Sequence, residues 1–278
     1  MAQVHWRLYC VFRLYYYWGD ASMNTHTTNG FKSTVNRRRL IAALTATALV
    51  TAICIAGGPL RTASAANAPV KIGIIGAGRI GSALAKLWVQ AGHPVMLSSR
   101  HPDELRPLAQ TLGPLASVGT PAQAAAYGEV VLVSVPYEAL PEVGKEVGTA
   151  LQGKVVLETG NPFPPGSPLQ VQIAQQGGTG VTSAKALPGA LLVRAFNKLA
   201  FTQLPALAHR SGSLVAVPIA ADDPHAVAVA EQLVRDAGFE AVLVGPLATA
   251  KRFDMGADLS RDPMNASEMR QALNLPAK

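Results

Sequence analysis

Short apolar runs separated by helical patterns recur along most of the chain. They stand at Val70–Ile75, Pro94–Ser98, Val130–Val135, Lys154–Glu158, Leu191–Ala195, Leu214–Ile219 and Ala241–Val244. Their apolar residues are consecutive rather than alternating, which predicts strands buried on both faces, as in a parallel sheet covered by crossover helices. After the first run, Ile80, Leu84, Leu87, Trp88 and Ala91 fall on one helical face, and Gly92 stands where a C-terminal cap belongs. The alternation predicts an α/β fold: a doubly wound, mostly parallel sheet with a small C-terminal α/β extension.

The first 65 residues depart from that alternation. Residues 36–41 read Asn-Arg-Arg-Arg-Leu-Ile and lead into an apolar run over 40–57, followed by Gly58-Pro59 and Ala63-Ser64-Ala65. A basic segment, a moderately apolar segment and a small-x-small site make an export signal. The paired arginines with Leu40 and Ile41 just beyond resemble the twin-arginine kind. A cleaved leader over 1–65 and a periplasmic or extracellular mature chain are expected. The alternative is an uncleaved N-terminal anchor, because the apolar run is barely long enough to span a bilayer. Residues 1–22 crowd Trp6, Tyr9, Tyr15, Tyr16, Tyr17 and Trp18 without a period, so translation is expected to start at Met23, giving a signal over 23–65. Cys54 follows Ile53, where a lipidation site would need a small residue.

Composition narrows the class. The 278 residues are 49% hydrophobic and 15% charged, which excludes a disordered chain. Apolar residues spread in short runs exclude a polytopic membrane protein, and the mature domain is not expected to be membrane-embedded. Of the formal net charge of +7, +6 falls on residues 1–65 and +1 on residues 66–278. A nucleic-acid binder carries its positive charge on the folded part, so that class is set aside. Both cysteines, Cys10 and Cys54, lie in the leader, so neither a disulfide scaffold nor a cysteine-built metal site is expected.

The most informative segment is KIGIIGAGRIG at 71–81, with Gly76, Gly78 and Gly81 in the G-x-G-x-x-G spacing and Ala77, Arg79 and Ile80 between them. A strand precedes it and a helix follows. Gly76 permits the tight turn, Gly78 lets a pyrophosphate approach the backbone, and Gly81 lets helix and strand pack closely. Free N–H groups and the helix dipole then hold the diphosphate. A Rossmann-type dinucleotide-binding domain over 66–200 is expected, with 201–278 as the extension that completes an acceptor pocket. The other reading is a glycine turn that serves packing alone.

The second strand distinguishes the dinucleotides. An NAD site places Asp or Glu at its end for the ribose 2′-hydroxyl. Here the strand ends Ser98-Ser99-Arg100-His101-Pro102, with no acid before Asp103. The Ser98 and Ser99 hydroxyls and the Arg100 guanidinium are placed to bind a 2′-phosphate, which points to NADP(H). The alternative is a solvated turn in which Arg100 faces water and Asp103 caps the next helix.

Later strands end in Val135-Pro136-Tyr137, Glu158-Thr159-Gly160-Asn161-Pro162 and Arg194-Ala195-Phe196-Asn197-Lys198. With the glycine turn and the Ser-Ser-Arg ending, these make residues 70–250 resemble the coenzyme F-420-dependent NADP oxidoreductase family, which includes the NADPH:deazaflavin reductases. The likeness extends to the cytosolic domain of six-transmembrane ferric reductases. The resemblance implies that Val135 and Pro136 flank the ribose and nicotinamide and that Asn161 and Pro162 form the floor beneath the ring. It implies that Ala195, Phe196 and Asn197 line the acceptor side, with a flavin or deazaflavin as co-substrate. The alternative is that Pro136 and Pro162 end strands and that Phe196 is core. An export signal and the segment 251–275 depart from the family pattern.

The mature chain shows no nucleophile–base arrangement and no Tyr-x-x-x-Lys pair. Its histidines (93, 101, 209 and 225) are not at helical spacing from one another, and no metal site is expected. Direct hydride transfer between stacked rings suits this, because it asks for positioning rather than proton chemistry. Arg194 and Lys198 are available for an anionic acceptor or as solvated surface. The expected activity is hydride transfer between NADP(H) and a flavin-like or deazaflavin small-molecule acceptor. A pyrroline-carboxylate or imine-type reductase and a non-catalytic NADP-binding sensor are the alternatives. An apolar edge at the last strand suits a homodimer.

Overall fold

The computed structural model describes residues 68–257, 259 and 262–277. The leader, its cleavage site and the Met23 start lie outside the described residues. The elements run β1 (Ile72–Ile75), α1 (Arg79–Gln90), β2 (Val95–Ser98), α2 (Arg106–Leu112), β3 (Ala116–Gly119), α3 (Pro121–Tyr127) and β4 (Val130–Val133). They continue α4 (Leu140–Leu151), β5 (Val155–Glu158), α5 (Pro168–Gln175), α6 (Thr179–Ala186), β6 (Leu191–Arg194) and α7 (Gln203–Leu207). The last are β7 (Ala216–Ala221), α8 (Pro224–Asp236), β8 (Glu240–Gly245) and α9 (Ala266–Ala272).

The strands form an 8-stranded sheet in the order β3-β2-β1-β4-β5-β6-β7-β8. The first six are parallel, β7 runs antiparallel to β6, and β8 is parallel to β7. The chain winds outward from β1 to β3, then crosses back to lay β4 on the other side of β1. The carboxyl ends of β1 and β4 therefore diverge, which opens the crevice where ligands bind in such sheets. β3 was not among the expected strands. Its sequence, Ala-Ser-Val-Gly, carries one bulky apolar residue, because an edge strand that is only partly covered needs no apolar run.

Successive strand residues feed opposite faces. Ile72, Ile74, Val130 and Leu132 pack with Leu84, Trp88 and Leu233 on the α1/α8 side. Ile75, Val131 and Val133 pack with Ala125, Leu140 and Val147 on the α3/α4 side. A third cluster, around Val242, Phe253 and Met269, covers β7 and β8 beneath α9. Trp88 ties the first layer together: its indole N–H donates to the Leu233 carbonyl at 2.9 Å, and its ring meets Phe196 edge-on at 6.1 Å.

Local chemistry sets several helix boundaries. α3 begins at a capping box of Thr120 and Gln123, and α9 at one of Asn265 and Glu268. Asp223 caps α8 through the Ala226 N–H. α1 stops at Ala91, which is exposed, and Gly92 follows at φ +93°, the left-handed residue that ends many helices. Among the described residues no helix is long and apolar enough to cross a membrane.

Candidate functional site

The glycine turn gives each of its three glycines a separate reason. Gly76 adopts φ +92°, and a β-carbon there would lie 2.3 Å from the Ser134 carbonyl oxygen at the exit of β4. Gly81 is pressed onto the turn: its β-carbon would be 2.3 Å from the Gly76 carbonyl oxygen. Gly78 differs from both, because a β-carbon on it would meet nothing within 4 Å. It is also the N-cap of α1, and no side chain caps that helix. The start of α1 thus presents uncapped N–H groups and a bare backbone to open space, which fits the diphosphate of a dinucleotide. Arg79 and Ile80 form the first turn beside it. Arg79 is exposed, with its guanidinium 5.1 Å from the centroid of the Phe201 ring.

The end of β2 holds this turn in place from below. The Ser98 carbonyl accepts from the N–H groups of Gly76 and Ala77 at 3.1 and 2.8 Å. The Ser98 hydroxyl is buried and donates to the Ile74 carbonyl at 2.7 Å. That corrects the expectation for Ser98: its side chain faces the β1 backbone, away from the mouth of the site. Ser99 is half-buried and accepts from the His101 N–H at 3.0 Å, and Arg100 is exposed beside it. Asp103 neither caps the following turn nor reaches back to the crevice; it pairs with Arg106 at 2.8 Å. Ser99 and Arg100 thus stand just beyond the carboxyl end of β2, and among the described residues no ion pair joins Arg100 to a carboxylate.

Beyond the crevice, Val135 is half-buried and Pro136 exposed at the exit of β4. Directly behind them lies a buried network that the sequence reading missed. Glu158 ends β5 and Arg194 ends β6, as register partners on neighbouring strands, both 0% exposed. The Arg194 guanidinium bonds the Glu158 carboxylate through Nη1. Arg194 Nη2 donates to the Gly160 carbonyl at 2.8 Å, and the Gly160 N–H donates to Glu158 Oε1. Ser183 donates to Glu158 Oε2 at 2.8 Å, and the Tyr137 hydroxyl lies 2.9 Å from Ser183. Burial pushes the Tyr137 phenol above its ordinary range, outweighing the hydrogen bonds from Ser183 and Thr182 that favour ionisation. The expectation of Arg194 as surface or acceptor ligand is thus overturned. Lys198 is 9% exposed and donates to the Leu259 carbonyl at 2.7 Å, so it is not solvated surface either. One signal was available: the runs Val-Val-Leu-Glu and Leu-Leu-Val-Arg end in opposite charges at matching strand positions.

The acceptor-side residues divide. Asn161 is half-buried and donates through Nδ2 to the Asn197 carbonyl at 2.8 Å. Asn197 is buried and donates to the Phe253 carbonyl at 3.2 Å, so the two asparagines do meet. Phe196 belongs to the core instead. It is 1% exposed, between Trp88 and Phe239, and at φ +58° it turns the chain so that its side chain and that of Asn197 leave in different directions. Ala195 is likewise fully buried. Pro162 lines a cleft of about 370 Å³ with Gln170, Val171, Thr179, Lys251 and Met255. Its far wall is fastened by Asp254, which accepts from the Thr179 N–H at 2.9 Å, and by Gln170, which donates to the Met255 carbonyl. Among the described residues no three His, Cys, Asp or Glu side chains group as metal ligands.

Sheet order, crevice and glycine turn define a Rossmann-like dinucleotide-binding α/β protein. Residues 71–162 match the model of the family described as NADP oxidoreductase coenzyme F420-dependent, which makes this an NADP-dependent oxidoreductase. No curated protein matches the chain. A solved hypothetical protein from Sinorhizobium meliloti is 24% identical, with a TM-score of 0.62 over 71% of this chain and 95% of its own. A candidate F420-dependent NADP-reductase from Arthrobacter sp. FB24 is 23% identical, with a TM-score of 0.52 over 65% of this chain and 87% of its own. An imine reductase from Myxococcus stipitatus, in complex with NADP+, is 21% identical with a TM-score of 0.50, over 74% of this chain and 60% of its own. At these identities the likeness is one of fold.

Proposed function

We propose that the protein transfers hydride between NADP(H) and a planar flavin-like or deazaflavin acceptor. The observation that carries this reading is the bare glycine turn before α1, which opens at the carboxyl end of a parallel sheet; the cleft at Pro162 follows the carboxyl end of β5 in the same sheet. In this reading Gly76–Gly81 holds the diphosphate, and Ser99 and Arg100 take the 2′-phosphate. Val135, Pro136, Asn161 and Pro162 frame the nicotinamide. When bound, NADPH supplies the hydride from its ring, and one proton from solvent balances the reduced acceptor. Such a transfer would ask the chain to hold the two rings within about 3–3.5 Å of each other and to keep water out between them. A cleft of about 370 Å³ falls within the size range of small-molecule sites, and its Val171 and Pro162 walls suit a flat apolar ring.

The test is a titration of residues 66–278 with NADPH and NADH, followed by multiple turnover with flavin and deazaflavin acceptors. Micromolar NADPH binding with turnover on either acceptor supports the reading. Binding without turnover on any acceptor favours an NADP-binding sensor, and turnover on cyclic imines alone favours an imine reductase.

We propose further that the mature chain is exported, through a twin-arginine-type signal ending at Ala65. That route carries folded proteins, so a bound dinucleotide could cross with the chain. N-terminal sequencing of the exported protein tests it: a start at Ala66 supports export with cleavage, and an intact leader in the membrane fraction supports the anchored alternative.

A further inference from the structure

We infer that the buried Glu158–Arg194 pair is a positioning device for the nicotinamide end of the cofactor site, acting through the peptide of Gly160. The inference rests on the proposed cofactor reading and adds residues that touch no ligand. Both side chains are 0% exposed, so neither can reach a bound molecule.

The geometry singles out one peptide unit. The pair holds Gly160 from both sides: its N–H by Glu158 Oε1 and its carbonyl by Arg194 Nη2 at 2.8 Å. Arg194 Nη1 also reaches the Glu158 carbonyl at 3.2 Å, closing the ring of bonds around residues 158–160. A β-carbon on Gly160 would lie 2.6 Å from Glu158 Oε1, 3.2 Å from the Tyr137 ring and 3.3 Å from the Val135 carbonyl oxygen. Gly160 is therefore the point where the ends of β4 and β5 meet. The next residues are Asn161 and Pro162, the floor expected under the nicotinamide.

Stability alone is a weak reason to keep two charges here. The β5–β6 ladder pairs Val155–Glu158 with Leu191–Arg194 through backbone bonds alone. Removing two charges from water can cost more than their attraction recovers, and apolar replacements of whole pairs are often neutral or stabilising. What the pair adds is direction. Glycine leaves the chain after β5 with wide conformational freedom, and three hydrogen bonds from the charged side chains to the backbone of residues 158–160 remove it. Ser183, itself bonded to the Tyr137 hydroxyl, donates to the carboxylate from behind, so its rotamer is fixed as well.

The experiment compares two ligands on one protein. NADP+ contains the nicotinamide half, whereas adenosine 2′,5′-bisphosphate carries only the 2′-phosphate end of the site. The variants are the apolar double replacement Glu158→Leu/Arg194→Met and the milder Ser183→Ala. The expected result is a folded double variant whose affinity for adenosine 2′,5′-bisphosphate stays within about twofold. Its NADP+ affinity falls about tenfold, and the fluorescence enhancement of bound NADPH, a signature of a rigidly held nicotinamide, is lost. Ser183→Ala shows the same selective loss at smaller size and decides the matter if the double variant does not fold. Equal loss of both ligands, or loss of neither, overturns the positioning role while leaving the cofactor reading intact. A wild-type protein that binds neither ligand overturns both.

Discussion

Gly81 packs so closely on Gly76 that a β-carbon at 81 would lie 2.3 Å from the Gly76 carbonyl oxygen, whereas a β-carbon at Gly78 would meet nothing within 4 Å. One motif therefore holds a glycine that packing requires and one that packing does not, and a methyl group separates them. Gly81→Ala forces α1 off β1 and should destabilise the fold by about 1–3 kcal/mol, the usual cost of overpacking. Gly78→Ala should leave the melting temperature unchanged or slightly higher, because its extended backbone suits alanine and the unfolded chain loses freedom. It should nonetheless weaken NADPH binding by at least about tenfold, because the methyl occupies the space the diphosphate needs. Calorimetry and thermal melts of the two variants check the contrast; comparable NADPH affinity in Gly78→Ala and wild type would remove the diphosphate from this turn.

The end of β2 makes a second division. Arg100 is exposed just beyond β2, with no ion pair to a carboxylate among the described residues, whereas the Ser98 hydroxyl is buried on the Ile74 carbonyl. Arg100→Ala should weaken NADPH about tenfold, roughly 1.4 kcal/mol, while NADH affinity hardly changes. Ser98→Ala should lower stability by about 1 kcal/mol through the lost hydrogen bond and leave the NADPH-to-NADH ratio alone. Competitive titrations of both dinucleotides measure the ratio, and an unchanged ratio in Arg100→Ala would assign the 2′-phosphate elsewhere.

The contrast between Ser98 and Arg100 shows what the sequence makes legible. Strands on the interior of the sheet announce themselves because both faces are apolar, and the glycine spacing is local to one turn. Consequently β1, β2, β4, β5, β6, β7 and β8 could be expected within about two residues at each end. The direction of a single side chain is a different matter. Ser98 and Ser99 read alike in one dimension, and only the pleat turns one inward. Glu158 and Arg194 lie 36 residues apart and meet because β5 and β6 are neighbours in register. Phe196 was placed beside the acceptor by its motif, but a positive φ rotates it into the core, and no local pattern encodes that rotation.

Tyr137 supplies a pH dependence with a definite sign. Burial raises its pKa in the folded state above the ordinary value of 10.0. The folded protein then holds the phenolic proton more tightly than the unfolded chain does, so this contribution is complete below pH 10 and is lost as pH rises through the folded value. Tyr137→Phe should flatten the fall in melting temperature above pH 10. At pH 7 it should cost about 1–3 kcal/mol, because the buried Ser183 hydroxyl and Thr179 carbonyl lose a partner. Tyr127 is shifted in the same direction, but it is only partly covered and bathed by solvent, so its effect on stability is small. Melting curves from pH 8 to 11 on wild type and Tyr137→Phe check the sign; a steeper fall in the variant would contradict it.

Phe196 and His209 share a backbone conformation, φ +58° and +54°, and differ in what surrounds the side chain. A left-handed residue other than glycine costs about 1–2 kcal/mol, so glycine at either position relieves that strain. At His209, which is exposed, the relief is offset by the extra freedom glycine gives the unfolded chain, and His209→Gly should fall within about 0.5 kcal/mol of wild type. At Phe196 the ring is buried between Trp88 and Phe239, and deleting such an aromatic costs about 3–5 kcal/mol. Packing therefore outweighs strain, and Phe196→Gly should lose about 2–4 kcal/mol net. Urea denaturation of the two variants measures the difference. A Phe196→Gly variant as stable as His209→Gly would mean that the ring is not held by Trp88 and Phe239, and would return Phe196 to the acceptor side of the site.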